Sequence, residues 1–161
     1  MPDGRAAAIW RPMMMADLPE VGRIAAVVHA DFFERPAVFA ERLALFADGC
    51  LMAPGGYMVA HPTRAGAPPA LDSLLGALPA AADTLHLHDV ALLPAMQGRG
   101  LGAAAVRAAR VVAARHGLPR LGLIAVHGTA AYWARFGFVD APAGATLASY
   151  GADARYMLAP V

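Results

Sequence analysis

The stretch from residue 89 to residue 102 constrains the fold of this chain more than any other, and it reads Asp-Val-Ala-Leu-Leu-Pro-Ala-Met-Gln-Gly-Arg-Gly-Leu-Gly. Its apolar first half predicts a strand, its proline ends that strand, and its glycines at 98, 100 and 102 lead into a long helix. Glycine lets the backbone turn tightly and approach an anion, and a helix N-terminus adds about half a positive charge. This order of elements therefore predicts a cradle for a pyrophosphate.

The rest of the chain alternates between patterns typical of strands and of helices. Predicted strands cover residues 7–13, 50–53, 57–61, 85–92, 121–126 and 154–158, and residues 137–138 are predicted to turn into a further strand. Predicted helices cover residues 17–30, which start with a capping box of Asp17 and Glu20, and residues 36–46, 101–116 and 129–136. This alternation predicts an α/β fold with three layers, α/β/α, around a mixed sheet.

The segment from Pro62 to Asp83 is rich in proline and alanine. Its leucines at 71, 74, 75 and 78 recur at helical spacing and predict a short helix packed over the sheet, with a disordered linker as the alternative.

The glycine loop and the later run Tyr132-Trp133-Ala134-Arg135-Phe136-Gly137-Phe138 together resemble the GNAT superfamily of N-acetyltransferases, which use acetyl-coenzyme A. The resemblance implies a GNAT-like fold with a central mixed, mostly antiparallel sheet. It also implies that the loop matching Gln97 to Gly102 binds the cofactor's pyrophosphate and that the strand matching Val90 to Leu92 pairs with its pantetheine arm. The implied cofactor-binding residues are Val90, Ala91, Leu92, Gln97, Gly98, Arg99, Gly100, Leu101, Gly102 and Ala103.

Length and charge exclude several classes of protein. A chain of 161 residues fits one domain, over residues 1–161, and no uncharged run approaches the ~18 to 20 residues that cross a bilayer. The N-terminus lacks the pattern of a secretory signal, so we expect a soluble, cytoplasmic protein. A net charge of +1 gives no electrostatic case for binding nucleic acid.

Direct acetyl transfer to an amine needs a proton acceptor, because an amine with a lysine-like pKa is almost fully protonated at neutral pH. His88 and Asp89 lie in the predicted central strand, next to where pantetheine should enter, and His127 follows the neighbouring strand. We rank Asp89 and His88 together as candidate bases, ahead of His127. Asp89 could equally hold His88 in one tautomer. For the developing oxyanion, the resemblance implies a backbone N–H near Leu92.

The proton donor to the leaving thiolate is where the chain departs from the family pattern. The family commonly uses a tyrosine four residues before the glycine of Gly-Phe, and Trp133 stands there. Tyr132 points about 100° away around the helix, so we expect it in the core. Tyr150, before the last predicted strand, is the better candidate, and a tyrosine that anchors a turn is the alternative.

Other polar residues have alternative interpretations. Glu34 could receive the amine's charge or be a solvated loop residue, and Arg99 and Arg135 could meet a coenzyme A phosphate or be solvated. His86 shares a strand face with His88, but without a nearby third ligand we expect no metal site. The single cysteine, Cys50, excludes an internal disulfide, and we expect it to be a buried apolar residue.

The sequence thus predicts an acetyl-coenzyme A dependent N-acetyltransferase that transfers the acetyl group directly to a small-molecule or peptide amine. A non-catalytic acyl-coenzyme A sensor or scaffold is the alternative, since Trp133 replaces the usual tyrosine. The edges of the sheet could also support a homodimer.

Overall fold

The structure is a computed structural model that describes residues 9–161. The strands are β1 (Arg11–Pro12), β2 (Cys50–Ala53), β3 (Gly56–Thr63), β4 (Thr84–Leu92), β5 (Arg120–Ala125), β6 (Val139–Asp140) and β7 (Arg155–Pro160). The α-helices are α1 (Leu18–Val28), α2 (Pro36–Leu45), α3 (Leu101–Arg115) and α4 (Ala130–Ala134). A 3-10 turn over Ala145–Tyr150 precedes β7. Among the residues described, no helix is long and apolar enough to cross a membrane.

The strands form one sheet of seven in the order β1-β2-β3-β4-β5-β7-β6. All neighbouring strands run antiparallel except β4 and β5, which are parallel. This confirms the predicted α/β class and the mixed, mostly antiparallel sheet.

Helices cover both faces of the sheet, which gives the three predicted layers. On one face, α1 and α2 pack through residues such as Ile24 and Phe39 against Tyr57 and Val59 of β3. On the other face, the alanine-rich side of α3 packs against Leu85 and other residues of the central strands. The small alanine side chains let α3 lie close to the sheet, where each buried methylene contributes about 0.8 kcal/mol.

The two parallel strands separate before they end. Pairing of β4 with β5 runs from Thr84 with Arg120 to Leu87 with Leu123 and stops there. Residues 89 to 92 at the end of β4 keep their antiparallel partners on β3, but residues 88 to 92 have no partner on β5 within residues 9–161. A strand edge of this kind offers N–H and C=O groups to any extended ligand.

A bulge in β4 places two consecutive residues on one face of the sheet. Val59 of β3 pairs with Asp89. The next residue of β3, Ala60, pairs with Leu87, so His88 has no partner on β3. An extra residue of this kind resets the alternation of side chains. His88 and Asp89 therefore both point toward the layer of α1 and α2, as their contacts with Glu34 and His29 show.

Several predicted boundaries are corrected by the structure. The strand predicted over 7–13 is reduced to β1, and its residues 7 and 8 lie outside the described part. Helix α1 starts at Leu18 as expected, but Asp17 makes no capping bond to the helix because its carboxylate binds Arg11 and the N–H of Met14. The strand expected to follow the turn at residues 137–138 forms as β6, at Val139–Asp140.

The helix predicted over residues 71–78 is wrong. Strand β3 extends to Thr63, and residues 64–83 cross the molecule as turns and irregular chain without a helix. Polar side chains from other elements bind this segment's backbone N–H groups, which stabilises an irregular path over a helix.

Candidate active site

A cavity of about 890 Å³ opens where β4 and β5 separate and runs from the N-terminus of α3 to the ends of α1 and β5. One end is formed by the glycine loop before α3, and the other by polar and aromatic side chains. The polar and aromatic lining residues at that second end are His29, Phe32, Glu34, His88, Asp89, His127 and Tyr150.

The glycine loop has the backbone conformation that close approach to an anion requires. Gly98 and Gly100 have φ angles of +73° and +78°, and Gly100 directly precedes α3. A Cβ atom built on either glycine would meet nothing within 4 Å, so the space above them is open. The side-chain amide of Gln97 donates to the carbonyl of Leu92 at 3.2 Å and ties the loop to β4. The loop therefore fits the phosphate-binding role that the sequence predicts.

Most of the predicted cofactor residues line the cavity, namely Val90, Leu92, Gln97, Gly98, Gly100, Leu101, Gly102 and Ala103. Two of the predicted residues do not. Ala91 is buried in the core between the sheet and α1, and Arg99 is exposed outside the lining.

Tyr132 lies against the first turn of α3, which corrects the expectation that it packs in the core. Its side chain lines the cavity and 36% of the residue is exposed. A Cβ atom on Gly102 would lie 2.0 Å from the Tyr132 hydroxyl oxygen. In this arrangement the tyrosine occupies the space beside Gly102, so a side chain there would require the Tyr132 ring to move.

Asp89 is held between two donors, one from the helical layer and one from the adjacent strand β3. Its Oδ1 lies 2.7 Å from Nε2 of His29, the residue that ends α1, and its Oδ2 accepts a hydrogen bond from the Tyr57 hydroxyl. The His29 side chain is 19% exposed and that of Asp89 is 9% exposed. Because Asp89 binds Nε2, the neutral form of His29 carries its proton on Nε2, and Nδ1 is the free base.

The pair shifts the pKa of both groups. Burial disfavours the charged imidazole, but the Asp89 carboxylate outweighs burial and raises the pKa of His29 above 6.5. Burial likewise disfavours the Asp89 carboxylate, but His29 and the Tyr57 hydroxyl outweigh it and lower the pKa of Asp89 below 3.8. Asp89 is therefore ionised at neutral pH and is a weak base, whereas His29 is the stronger one.

A second histidine–carboxylate pair lies beside the first. Nε2 of His88 is 2.7 Å from Oε1 of Glu34, with side-chain exposures of 0% and 6%. The interpretation of Glu34 as a solvated loop residue is therefore wrong, because the chain after α1 folds it onto β4. Nδ1 of His88 is buried and has no partner among the residues described.

His127 and Tyr150 meet Phe32 at the far end of the cavity. The Phe32 ring lies 4.9 Å from that of His127 and 6.3 Å from that of Tyr150, measured between centroids. His127 also lies parallel to His29 at 6.3 Å, and its φ of +55° is a conformation that only a few per cent of non-glycine residues adopt. Tyr150 is 9% exposed, and burial, followed by Glu34 and Asp89, raises its pKa.

A second, outer cavity of about 450 Å³ adjoins this end. The two cavities share Phe32, Val126, His127 and Tyr150 in their linings.

Three other buried titratable groups, His61, His86 and Cys50, have pKa values that keep them neutral at pH 7. Burial, followed by His88 and Arg42, lowers the pKa of His61 to about 3, and burial lowers that of His86 well below 6.5. Burial raises the pKa of Cys50 to about 12. Within residues 9–161, no group of three or more histidine, cysteine or acidic side chains is placed to hold a metal ion.

Sequence reasoning missed His29 and Tyr57. Neither has a local motif, since Asp89 contacts them across 60 and 32 residues of chain. A histidine directly after an amphipathic helix was the only signal for His29, and many such residues merely end helices.

Comparisons with known proteins follow this geometry. A family model described as the acetyltransferase (GNAT) family matches residues 15–138. A search of curated proteins finds no match to the chain.

Several solved structures share the fold. The chain is similar to Ard1 from Thermoplasma volcanium, with a TM-score of 0.73, 15% identity and coverage of 94% of this chain and 96% of that one. It is similar to the GphF GNAT-like decarboxylase in complex with isobutyryl-CoA, with a TM-score of 0.78, 14% identity and coverage of 94% and 98%. It is also similar to the PaiA N-acetyltransferase from Thermoplasma acidophilum in complex with coenzyme A, with a TM-score of 0.62, 12% identity and coverage of 94% and 98%.

The family model covers most of the chain, including the strand, the glycine loop and the helix that frame the cavity. On these grounds the chain belongs to the GNAT family of acetyltransferases.

Proposed function

We propose that this protein transfers the acetyl group of acetyl-coenzyme A directly to a primary amine, with both substrates bound at once. The observation that carries the proposal is the single cavity that joins the glycine loop to the His29–Asp89 pair. An anion-binding loop and a proton acceptor in one cavity supply what direct transfer needs.

The acetyl-coenzyme A side of the cavity is assigned from the backbone. The pyrophosphate would bind the loop at Gly98 and Gly100 and the N-terminus of α3. The pantetheine arm would pair with β4 at Val90 and Leu92, along the edge that β5 leaves free. Two similar structures contain coenzyme A or isobutyryl-CoA, which supports this assignment.

The proton is proposed to pass to His29. An amine attacks the thioester carbon only when its nitrogen is neutral, so a base must take a proton before or during attack. Nδ1 of His29 has no hydrogen-bond partner among the residues described, and His29 lines the cavity. Asp89 then stabilises the imidazolium that forms. We assign His88 the role of positioning Glu34, because the His88 side chain is fully buried. It is the alternative base to His29.

The remaining steps close the balance of atoms. The new C–N bond forms as the C–S bond breaks. The negative charge that develops on the carbonyl oxygen is stabilised by a hydrogen bond from a backbone N–H near Leu92. The thiolate takes a proton from Tyr150 or from water. The raised pKa of Tyr150 keeps it protonated, and it lines the same cavity. The end of the cavity lined by polar and aromatic side chains is here called the acceptor end, and His127 lies there beside Phe32.

The test is titration of the purified protein with acetyl-coenzyme A in a calorimeter, followed in the same sample by thiol release on adding a panel of primary amines. We expect binding and amine-dependent thiol release. Binding without release for any amine, including amino-terminal peptides, would favour the non-catalytic sensor. No binding would contradict both functions.

A further inference from the structure

We propose that the amine acceptor is a small molecule with an apolar carbon frame and that polypeptides are excluded. The reason is a segment that crosses the acceptor end of the cavity, residues 64–83, here called the strap. This inference rests on the proposed acetyl transfer and specifies its acceptor.

The strap is bonded to the turn between α1 and α2. The N–H of Asp72 donates to Oε2 of Glu34 at 3.0 Å, and Oδ1 of Asp72 accepts from the backbone N–H and the Nε–H of Arg35 at 2.8 and 3.0 Å. Nη2 of Arg35 also donates to the Asp72 carbonyl at 3.0 Å. These bonds join the strap to the turn that carries Phe32 and Glu34.

The strap is also bonded to the 3-10 turn on the opposite side of the cavity. The N–H of Leu71 donates to Oγ of Ser149 at 3.0 Å, and Oγ1 of Thr146 donates to the carbonyl of Pro68 at 2.7 Å. The backbone N–H of Gly144 donates to the carbonyl of Gly66 at 3.2 Å. Leu71 itself lines the inner cavity. The strap therefore bridges the two elements that flank the acceptor end.

Aromatic contacts complete a ring around this end. Tyr150, at the end of the 3-10 turn, packs against Phe32, and Phe32 packs against His127 at the end of β5. His127 in turn lies over His29 at the end of α1. Each element of the ring thus contacts the next, and Phe32, His127 and Tyr150 line both cavities.

A ring of joined elements does not accommodate a polypeptide. An extended chain rises about 3.3 Å per residue and carries N–H and C=O groups along both edges, so it needs an open groove between two elements. The strap occupies that position. A small ammonium group fits instead, since aromatic rings line this end of the cavity together with the carboxylates of Asp89 and Glu34.

The test compares two conjugates of coenzyme A, in which an acetyl bridge joins the sulfur to the nitrogen of phenethylamine or to the N-terminus of a decapeptide. Calorimetry measures the affinity of each. We expect the phenethylamine conjugate to bind at least about tenfold more tightly, because the peptide must displace bonded chain to fit. Equal affinities, or tighter binding of the peptide conjugate, would overturn the proposal.

A double variant tests whether the strap causes the difference. Asp72→Gly removes the carboxylate that binds Arg35 and suits the positive φ of +56° at this position, and Ser149→Ala removes the acceptor for Leu71. In the double variant, we expect the phenethylamine conjugate to bind less than about threefold more tightly than the decapeptide conjugate. Glu20→Ala, which breaks an exposed pair with Arg23 on α1, is the matched control and should leave the ratio unchanged.

Hydrogen exchange confirms that the strap has opened. The amide of Leu75, whose acceptor Glu41 is intact in the double variant, should exchange faster there than in the wild type, while amides of β4 stay protected. An unchanged ratio despite a released Leu75 amide would overturn the role of the strap. Binding of the conjugates does not require turnover, so failure of the proposed acetyl transfer would appear separately, as absent thiol release with amines.

Discussion

The carboxylate of Asp89, in the central strand, lies 2.7 Å from Nε2 of His29, which stands sixty residues earlier at the end of the first helix. This contact joins two layers of the fold at the point where the parallel strands separate. It also changes the pKa of both groups, because it raises that of His29 and lowers that of Asp89. The first predictions concern this pair.

His29→Gln should lower kcat/KM about 100-fold, because a general base contributes about 10² to 10⁴ in rate. In the wild type, kcat/KM should rise with pH through an apparent pKa above 6.5, since His29 must be neutral and its pKa is raised. His116→Gln is the matched control, because His116 pairs with Asp48 at 2.9 Å on the exposed surface. A pH profile of initial rates measures both effects. A His29→Gln enzyme that keeps the same acidic limb would place the base elsewhere.

Asp89→Asn should destabilise the fold by about 1–3 kcal/mol at pH 6, because a buried ionic hydrogen-bond acceptor is lost. The folded pKa of Asp89 lies below its unfolded value, so its contribution is complete above pH 3.8 and is lost as pH falls through the folded pKa. The raised pKa of His29 has the opposite sign, so its contribution is lost as pH rises through its folded pKa.

Urea unfolding from pH 3 to pH 9 tests this window. The difference in the free energy of unfolding between wild type and Asp89→Asn should be largest between the folded-state pKa values of Asp89 and His29. It should become smaller at lower and at higher pH. Asp48→Asn, which alters only the exposed pair with His116, should show no such maximum.

Gly100→Val should weaken acetyl-coenzyme A binding at least about 100-fold while the protein stays folded. The φ of +78° costs a branched residue about 1–2 kcal/mol, but its side chain would meet no protein atom within 4 Å and would occupy the space of the phosphate. Gly117→Val carries the same backbone strain at a φ of +66° beyond the end of α3, away from the cavity. Calorimetry should separate the two variants, and equal affinities would refute the loop assignment.

Gly102→Ala should destabilise the protein by at most about 1 kcal/mol, because the Tyr132 ring must move away from a Cβ that would lie 2.0 Å from its hydroxyl oxygen, and the helix propensity of alanine offsets part of that cost. Tyr132→Phe removes that oxygen, and the nearest remaining ring atom is 3.3 Å from the same position. The double variant should therefore recover part of the lost stability. Thermal unfolding of the single and double variants measures the coupling, and strictly additive effects would argue against this contact.

Cys50 should react with a thiol reagent at pH 8 only when the protein unfolds. Its side chain is buried, its pKa is raised to about 12, and the thiolate is the reactive form. The rate of modification should follow the fraction unfolded as urea is added. Rapid labelling of the native protein would contradict the burial of β2.

The elements with strong local signals were predicted well. The strand ending at Leu92, the glycine loop and the helix from Leu101 appear as expected, because apolar runs, proline and glycine act through the local backbone. Segment 64–83 was not, because its leucine spacing is typical of a helix while Glu34, Glu41 and Ser149 bind its backbone from distant parts of the chain.

The sequence by itself determined most of the order of strands and helices, the glycine loop before α3 and the family resemblance, since each depends on residues close together in the chain. Only the tertiary structure decided which groups share the acceptor end. The bulge that turns His88 and Asp89 to one face, the meeting of Asp89 with His29 and Tyr57, and the bridging strap depend on contacts between residues far apart in sequence. Such contacts follow from how layers pack, and no local pattern encodes them.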